Sequence, residues 1–296
     1  MSNSKEIVAV GSIAFDSIKT PKGERDRILG GSSTYFGVSA SLFTKVNLVG
    51  VVGNDFSQDE WELLKKYNID TSSVKVEDGE TFSWGGKYNE DFSSRETLFT
   101  NLGVFEKFKP QINREYSDPI LYLGNIQPEL QFDVIEKIKN PCLVAADSMN
   151  LWIDLNPDDV WKLITKVDIF MLNDEEAMQL TNENDLEKVI KQFLHLGPKI
   201  VIIKMGGKGC LVAFDNRIHH VSIVPDTPVF DPTGAGDSFA GGLLGYMAQK
   251  GTSDPLMAAA YGSAVASYTV SGFGLEELIK MNEEDLKRKI ELIEIS

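Results

Sequence analysis

Short apolar segments alternate with longer segments of helical pattern along most of this 296-residue sequence. EIVAVGSI (6–13) and VNLVGVVG (46–53) are almost entirely apolar, which is typical of strands buried on both faces of a sheet. In SQDEWELLKKYN (57–68), apolar residues recur at helical spacing, and Ser57 and Glu60 match the pattern of a capping box. This alternation predicts βαβ units and therefore an α/β fold, with a mostly parallel central sheet flanked by helices.

Two segments interrupt this alternation. Residues from about 12–29 and 80–109 alternate polar with aromatic or apolar residues and contain turn residues, which indicates β structure with one exposed face. Because ligands bind at the carboxyl edge of an open α/β sheet, we expect both segments to form a small β-sheet lid over that edge. Without a long linker or an internal repeat, residues 1–296 are predicted to form a single domain. Unpaired edges of such a lid also favour a homodimer formed through it.

The composition limits the partners and the location. Lys and Arg total 29 and Asp and Glu total 44, so the net charge of −15 argues against nucleic-acid and anionic-membrane partners. No apolar run approaches the roughly 18 residues of a membrane span, and the first residues resemble a strand rather than a signal peptide. Cys142 and Cys210 lie in apolar runs, which predicts buried thiols in strands. These features together predict a cytoplasmic protein.

The segment DPTGAGDSFAGG (231–242) carries the strongest chemical signal. Gly234, Ala235 and Gly236 precede a helical run, so their N–H groups would converge at a helix start and form an anion site. Asp237 stands at the edge of that site, where a carboxylate can act as a base. An anion site beside a base suits phosphoryl transfer to an alcohol. The structural alternative is a glycine-rich turn before a packed helix.

This segment closely resembles the C-terminal motif of the ribokinase-like, or PfkB, carbohydrate kinase family. The resemblance continues in the family's order at GSIAFD (11–16), GGSSTYFG (30–37), VGNDF (52–56), NDEEA (173–177) and KMGGKG (204–209). It implies the three-layer ribokinase-like fold with a small β-sheet lid. It also implies an ATP-dependent kinase that phosphorylates an alcohol group of a small carbohydrate-type acceptor.

The resemblance further implies roles for individual residues. Asp237 matches the catalytic base of the family, and Gly234, Ala235 and Gly236 match its anion hole. The positions that match the acceptor side are Asp16, Gly30, Gly31 and Tyr35. Tyr35 stands where many sugar kinases have an asparagine, so the usual amide contact to a sugar hydroxyl is missing.

The matches on the nucleotide side are Asn173, Lys204, Gly206 and Gly209. Glu176 matches the residue that organises Mg²⁺, largely through water, and this residue type suits that ion. Asp231 and Thr233 match positions that hold a monovalent cation such as K⁺ in many members. Judged without the family, Asn173 and Glu176 would be helix-capping residues, because acidic side chains favour the first turn of a helix.

The identity of the acceptor stays open at this stage. The predicted lid and its approaches are rich in aromatic residues, which suit a flat group such as a nucleobase but are also typical of a hydrophobic core. These residues are Phe15, Tyr35, Phe36, Phe82, Trp84, Tyr88 and Phe92. A nucleoside kinase is therefore the alternative to a sugar kinase. A ligand sensor that keeps the fold without catalysis is the third reading.

Overall fold

A computed structural model describes residues 4–296 and contains a nine-stranded central sheet. In sheet order, the strands are β13 (Arg217–Val221), β12 (Cys210–Phe214), β11 (Ile200–Lys204), β10 (Ile169–Asn173), β9 (Leu143–Asp147), β8 (Ile120–Leu123), β1 (Ile7–Val10), β4 (Val46–Val52) and β5 (Ile69–Val76). All neighbouring pairs from β11 to β5 are parallel, and β12 and β13 are antiparallel additions. The predicted mostly parallel α/β sheet is confirmed.

Helices cover both faces of this sheet. They are α1 (Ser32–Ala40), α2 (Gln58–Lys66), α3 (Pro128–Lys137), α4 (Asn150–Leu155), α5 (Pro157–Ile164), α6 (Asp174–Thr181), α7 (Leu186–Leu196), α8 (Ala235–Lys250), α9 (Pro255–Val270) and α10 (Glu283–Ile290). One hydrophobic core lies between the sheet and α1, α8 and α9, and a second lies between the sheet and α3, α5 and α7. Strands β1, β4 and β8 are buried throughout because helices cover both of their faces. The result is three layers, and α2 begins with the predicted capping box.

The two segments that interrupt the alternation form the second sheet, which we call the lid. Its order is β3 (Gly23–Gly30), β2 (Ala14–Thr20), β6 (Ser83–Tyr88) and β7 (Arg95–Asn101). The pairs β2–β3 and β6–β7 are antiparallel, whereas β2 and β6 are parallel neighbours. The predicted small β-sheet is therefore confirmed, although residues Gly103–Lys107 of the second segment form a 3₁₀ helix, and closure over the site stays a prediction.

The two cysteines differ in their environment. Cys210 is buried in β12 as predicted, but Cys142 is exposed, and the prediction of a buried strand residue is wrong for it. Its apolar run begins one residue before β9, and this first residue lies beyond the covered part of the sheet. Within residues 4–296, no helix is long and apolar enough to cross a membrane. The cytoplasmic location stays a prediction.

Candidate functional site

The candidate site lies at the carboxyl edge of the central sheet. Strands β9, β10 and β11 end there at Asp147, Asn173 and Lys204. The register pairs Asn173 with Lys204 and Met171 with Asp147, so the three polar residues end neighbouring strands. Parallel strands bring their carboxyl ends to one edge, which explains why residues distant in sequence meet here.

The residues of the predicted anion hole lie at the start of α8. Gly234 is the N-cap with φ 75°, and a Cβ at this position would lie 2.4 Å from ring atoms of Tyr35. Only glycine fits this left-handed, crowded position. No side chain caps the helix start, which leaves first-turn N–H groups for an anion. The Ala235 N–H is already in use, since it donates to Pro232 O at 3.2 Å.

Asp237 lies in the first turn of α8 and is half-buried. Burial, together with the nearby Asp147 carboxylate, raises its pKa to about 7, while Lys204 and the Tyr122 hydroxyl oppose the rise. A general base works best when its pKa lies near the working pH. The environment therefore suits Asp237 to accept a proton at neutral pH.

Lys204 forms an ion pair with Asp147 at this edge, with 2.5 Å between Nζ and Oδ2. The same Nζ lies 3.1 Å from the position that a Cβ on Gly236 would occupy, so the cation is next to the anion hole. Burial disfavours the charged form of Lys204, but the carboxylates of Asp147 and Glu176 outweigh it and raise the pKa of the lysine. Lys204 is therefore held as a cation beside the start of α8.

Asn173 and Glu176 form a reciprocal capping box at the start of α6. Asn173 Oδ1 accepts from Glu176 N at 2.8 Å, and Glu176 Oε2 accepts from Asn173 N at 2.9 Å. Glu176 is only 5% exposed, and burial raises its pKa to about 7 against the opposing effect of Lys204. Asn173 and Glu176 therefore do cap this helix. The role of Asn173 in nucleotide binding and that of Glu176 in metal binding stay predictions.

The turn between β11 and β12 contains two of the predicted nucleotide-side glycines. Gly209 has φ 84°, and its Cβ would lie 2.2 Å from Val221 O, so close packing against β13 requires glycine there. Gly206 has φ 55° and no heavy atom within 4 Å of its Cβ position. Gly209 thus has a structural role, and Gly206 borders open space in which a ligand has room.

Asp16 on β2 lies at the opposite, lid side of the site and is 4% exposed. A Cβ on Gly30 would lie 2.0 Å from Asp16 Oδ2, and Gly31, at φ 90°, has Ser12 O 2.6 Å from its Cβ position. Burial, with Asp231 and Asp237 nearby, raises the pKa of Asp16 to about 7, although the Gly31 N–H opposes this. Gly30 thus makes room for Asp16, and Gly31 makes room for the backbone at Ser12.

Tyr35 is 1% exposed and lies behind the anion hole, against Gly234. Its hydroxyl has no hydrogen-bond partner among residues 4–296. The structure brings Tyr35 close to the site as support for Gly234. Its predicted contact with the acceptor stays a prediction.

Asp231 and Thr233 lie in the loop before α8. Asp231 is wholly buried; its Oδ1 accepts from Thr233 N at 2.9 Å, and its Oδ2 accepts from Gly274 N at 3.1 Å. Within residues 4–296, no lysine or arginine forms an ion pair with it. The Thr233 hydroxyl lies 3.0 Å from the Tyr88 hydroxyl, which belongs to lid strand β6. The loop is thus connected to both the lid and the segment after α9.

Sequence reasoning missed three features of the site. Trp84 on β6 is in register with Asp16 on β2, and the Arg95 guanidinium lies 4.9 Å from the Trp84 ring centroid. Tyr122 on β8 is buried, its ring stacks on Phe36 at 3.9 Å, and its hydroxyl, which forms no hydrogen bond within the described structure, is near enough to Asp237 to lower the pKa of that carboxyl group. No sequence pattern signals the contacts of Trp84 with Asp16 or of Tyr122 with Phe36, because each joins segments far apart in the chain, whereas Trp84 and Arg95 lie on neighbouring strands of one hairpin.

Comparison with known proteins identifies the family. The family model described as "pfkB family carbohydrate kinase" matches residues 5–281. A cytidine kinase of Thermococcus kodakarensis is 30% identical over 254 residues, which cover 81% of this chain and 87% of the relative. The chain belongs to the PfkB family and is a kinase.

Solved structures agree with this fold. The nucleoside kinase of Methanocaldococcus jannaschii superimposes with a TM-score of 0.79 at 21% identity, covering 98% of this chain and 99% of that one. A fructokinase of Vibrio cholerae gives 0.79 at 20% identity, covering 98% and 100%. The ribokinase-like fold is confirmed, and so is the expectation of a kinase from the sugar and nucleoside class.

Proposed function

We propose that the protein transfers the γ-phosphoryl group of ATP to a hydroxyl group of a small carbohydrate-type acceptor. One observation carries this proposal, namely that Asp237 stands in the first turn of the uncapped helix α8 with its pKa raised to about 7. A base and an anion site next to each other are what phosphoryl transfer to an alcohol requires.

The acceptor would lie between Asp16 and Asp237, beneath the lid. Asp16 would hold an acceptor hydroxyl group, and Asp237 would take the proton from the hydroxyl that attacks. First-turn N–H groups of α8 and the Lys204 ammonium would stabilise negative charge on the transferring group. The lid would exclude water, which limits hydrolysis of ATP.

The residues at the nucleotide side fit Mg²⁺ together with ATP. Glu176 and Asp147 offer buried carboxylates near Lys204, and Mg²⁺ favours one or two carboxylates completed by phosphate oxygens and water. When bound, Mg²⁺ would neutralise charge on the phosphates. Asn173, Gly206 and Gly209 would lie along the nucleotide.

The loop before α8 fits a monovalent cation. Asp231 is a wholly buried carboxylate that accepts from the backbone N–H groups of Thr233 and Gly274 and has no lysine or arginine as ion-pair partner in the described structure. A buried charge without a counterion is costly, so a cation such as K⁺ would stabilise this loop. We include K⁺ at Asp231 and Thr233 in the proposal.

A nucleoside is the second candidate acceptor, and two observations favour it. The 30%-identical relative is named a cytidine kinase, and Trp84 lies beside Asp16, where a flat group could stack on its half-buried ring. In both candidates a hydroxyl group of the acceptor receives the phosphoryl group. They differ in whether a nucleobase must also be accommodated under the lid.

The test is ADP release from Mg·ATP against a panel of pentoses, hexoses, sugar phosphates and nucleosides. We expect a signal with at least one of them that disappears in Asp237→Asn. A signal confined to free sugars supports the first candidate, and one confined to nucleosides replaces it with the second. Ligand binding by calorimetry without any phosphorylation would contradict the kinase proposal and support a sensor.

We further propose a homodimer through the lid. All seven residues of β7 are exposed, including Leu98 and Phe99, and β7 is the outer strand of the lid sheet. An exposed apolar edge strand favours pairing with a second copy. Light scattering at micromolar concentration should give twice the 32.8 kDa mass of the chain, and Leu98→Lys should reduce it. A monomeric mass for the unmodified protein would contradict the dimer.

A further inference from the structure

Among the described residues, one direct hydrogen bond joins the lid to the loop before α8. The Tyr88 hydroxyl on β6 lies 3.0 Å from Thr233 Oγ1. Tyr88 is buried, and its ring packs with Ile18 of β2 and with Phe273, which follows α9. The hydroxyl is therefore held at a fixed place on the inner face of the lid.

Thr233 connects this hydrogen bond to the residues of the proposed anion hole. It immediately precedes Gly234, the N-cap of α8, and its N–H donates to Asp231 Oδ1 at 2.9 Å. The other oxygen of Asp231 accepts from Gly274 N, so the loops 231–234 and 271–276 share one buried carboxylate. A displacement of Thr233 would move the N–H groups that should meet the phosphoryl group.

Strand β3 of the lid contacts the second of these loops. A Cβ on Gly274 would lie 2.6 Å from Ile28 Cδ1, and Arg25 forms an ion pair with Glu276 at 2.8 Å. The lid thus touches both loops that surround Asp231. Among these contacts, Tyr88 is the one that reaches the loop of the anion hole itself.

We infer that Tyr88 is a positioning residue that ties the seating of the lid to the geometry of the anion hole. This inference rests on the proposed phosphoryl transfer and goes beyond it, because it assigns a role in turnover to a lid residue that is not among the proposed reacting groups. A lid seated over an acceptor then holds the 234–236 backbone in place. Without the hydroxyl, the lid still closes but the loop is held less firmly.

The variants Tyr88→Phe and Thr233→Val each remove one hydroxyl and keep the shape of the side chain. We expect kcat to fall by about fivefold to tenfold in Tyr88→Phe, as one hydrogen bond allows, while the KM for ATP is unchanged. In Thr233→Val the fall should be at least as large, because this hydroxyl also belongs to the proposed cation site. The double variant should be no slower than the slower single one, because both remove the same bond. A purely structural role would lower the melting temperature and raise KM together with the loss of kcat.

Tyr67→Phe is the matched control, because the Tyr67 hydroxyl donates to Ile279 O at 2.7 Å, outside the lid and the site. It should turn over at the wild-type rate. Wild-type kcat in Tyr88→Phe, or effects that multiply in the double variant, would overturn the inference while leaving the proposed function intact. An inactive wild-type protein with every acceptor tested would overturn both.

Discussion

Lys204 Nζ lies 2.5 Å from Asp147 Oδ2, and both members of this ion pair interact electrostatically with two further carboxyl groups, those of Glu176 and Asp237. Lys204 lowers the pKa of both, whereas Asp147 raises both. One lysine therefore balances three carboxyl groups at the carboxyl edge of the sheet. Its loss should change the protonation of the whole cluster.

Lys204→Met should lower kcat/KM at neutral pH by about 10- to 100-fold, because it removes a phosphate-directed cation and raises the pKa of the base. The melting temperature should also fall, since the buried carboxyl groups lose their counterion. Lys199→Met is the control, because Lys199 pairs with Asp168 before β11 begins, at the other end of this strand. Unchanged kcat/KM in Lys204→Met would contradict this role.

The pH dependence of kcat/KM should report the protonation of Asp237. Its pKa of about 7 means that the base is active above that pH, so the rate should rise with pH through neutrality. Tyr122→Phe removes a hydroxyl that lowers this pKa, so the acidic limb should move to higher pH. Tyr246→Phe, near the far end of α8, should leave the limb in place. If the acidic limb of the pH profile stays in place in Tyr122→Phe, the Tyr122 hydroxyl does not lower the pKa of Asp237.

Asp16→Asn should stabilise the free protein at alkaline pH. The folded pKa of Asp16 is about 7, above the unfolded value of about 4, so its contribution to stability is lost as the pH rises through 7. An amide avoids that loss, and the melting temperature should rise by about 2–4 °C at pH 8 and by less at pH 5. Asp215→Asn, on an exposed turn, should show no such difference. A destabilised Asp16→Asn at pH 8 would count against burial as the cause.

Gly234→Ala should disrupt the anion hole. The added methyl group would lie 2.4 Å from the Tyr35 ring at a backbone with φ 75°, so α8 cannot begin in the same place. We expect kcat to fall by about 100-fold or more, together with a lower melting temperature. Gly207→Ala adds a methyl group in open space and should hardly change the melting temperature. Near-native turnover in Gly234→Ala would show that this turn does not determine the geometry of the proposed anion hole.

Much of the fold could be predicted from local patterns. The alternation of apolar runs and helical segments gave the parallel sheet, and the capping box of α2 and the glycine-rich start of α8 were visible in the sequence. Each of these depends on residues that are neighbours in the chain. The burial of the first residue of an apolar run was less predictable, as exposed Cys142 shows.

The contacts that complete the site could not be predicted in the same way. Trp84 meets Asp16 only because β2 and β6 are parallel neighbours in the lid, and no local pattern specifies which lid strands pair. In the sequence, Asp147 is only a polar residue that follows the apolar run CLVAA. Its ion pair with Lys204 depends on the order of β9, β10 and β11.

The most direct test of the central claim compares Asp237→Asn with the wild-type protein. Acceptor-dependent ADP release and ATP binding by calorimetry would be measured on the same preparations. The account predicts that turnover falls by about 1,000-fold or more, while the Kd for Mg·ATP stays within about threefold of wild type. Near-native turnover in Asp237→Asn would show that Asp237 is not the base and would contradict the proposed mechanism.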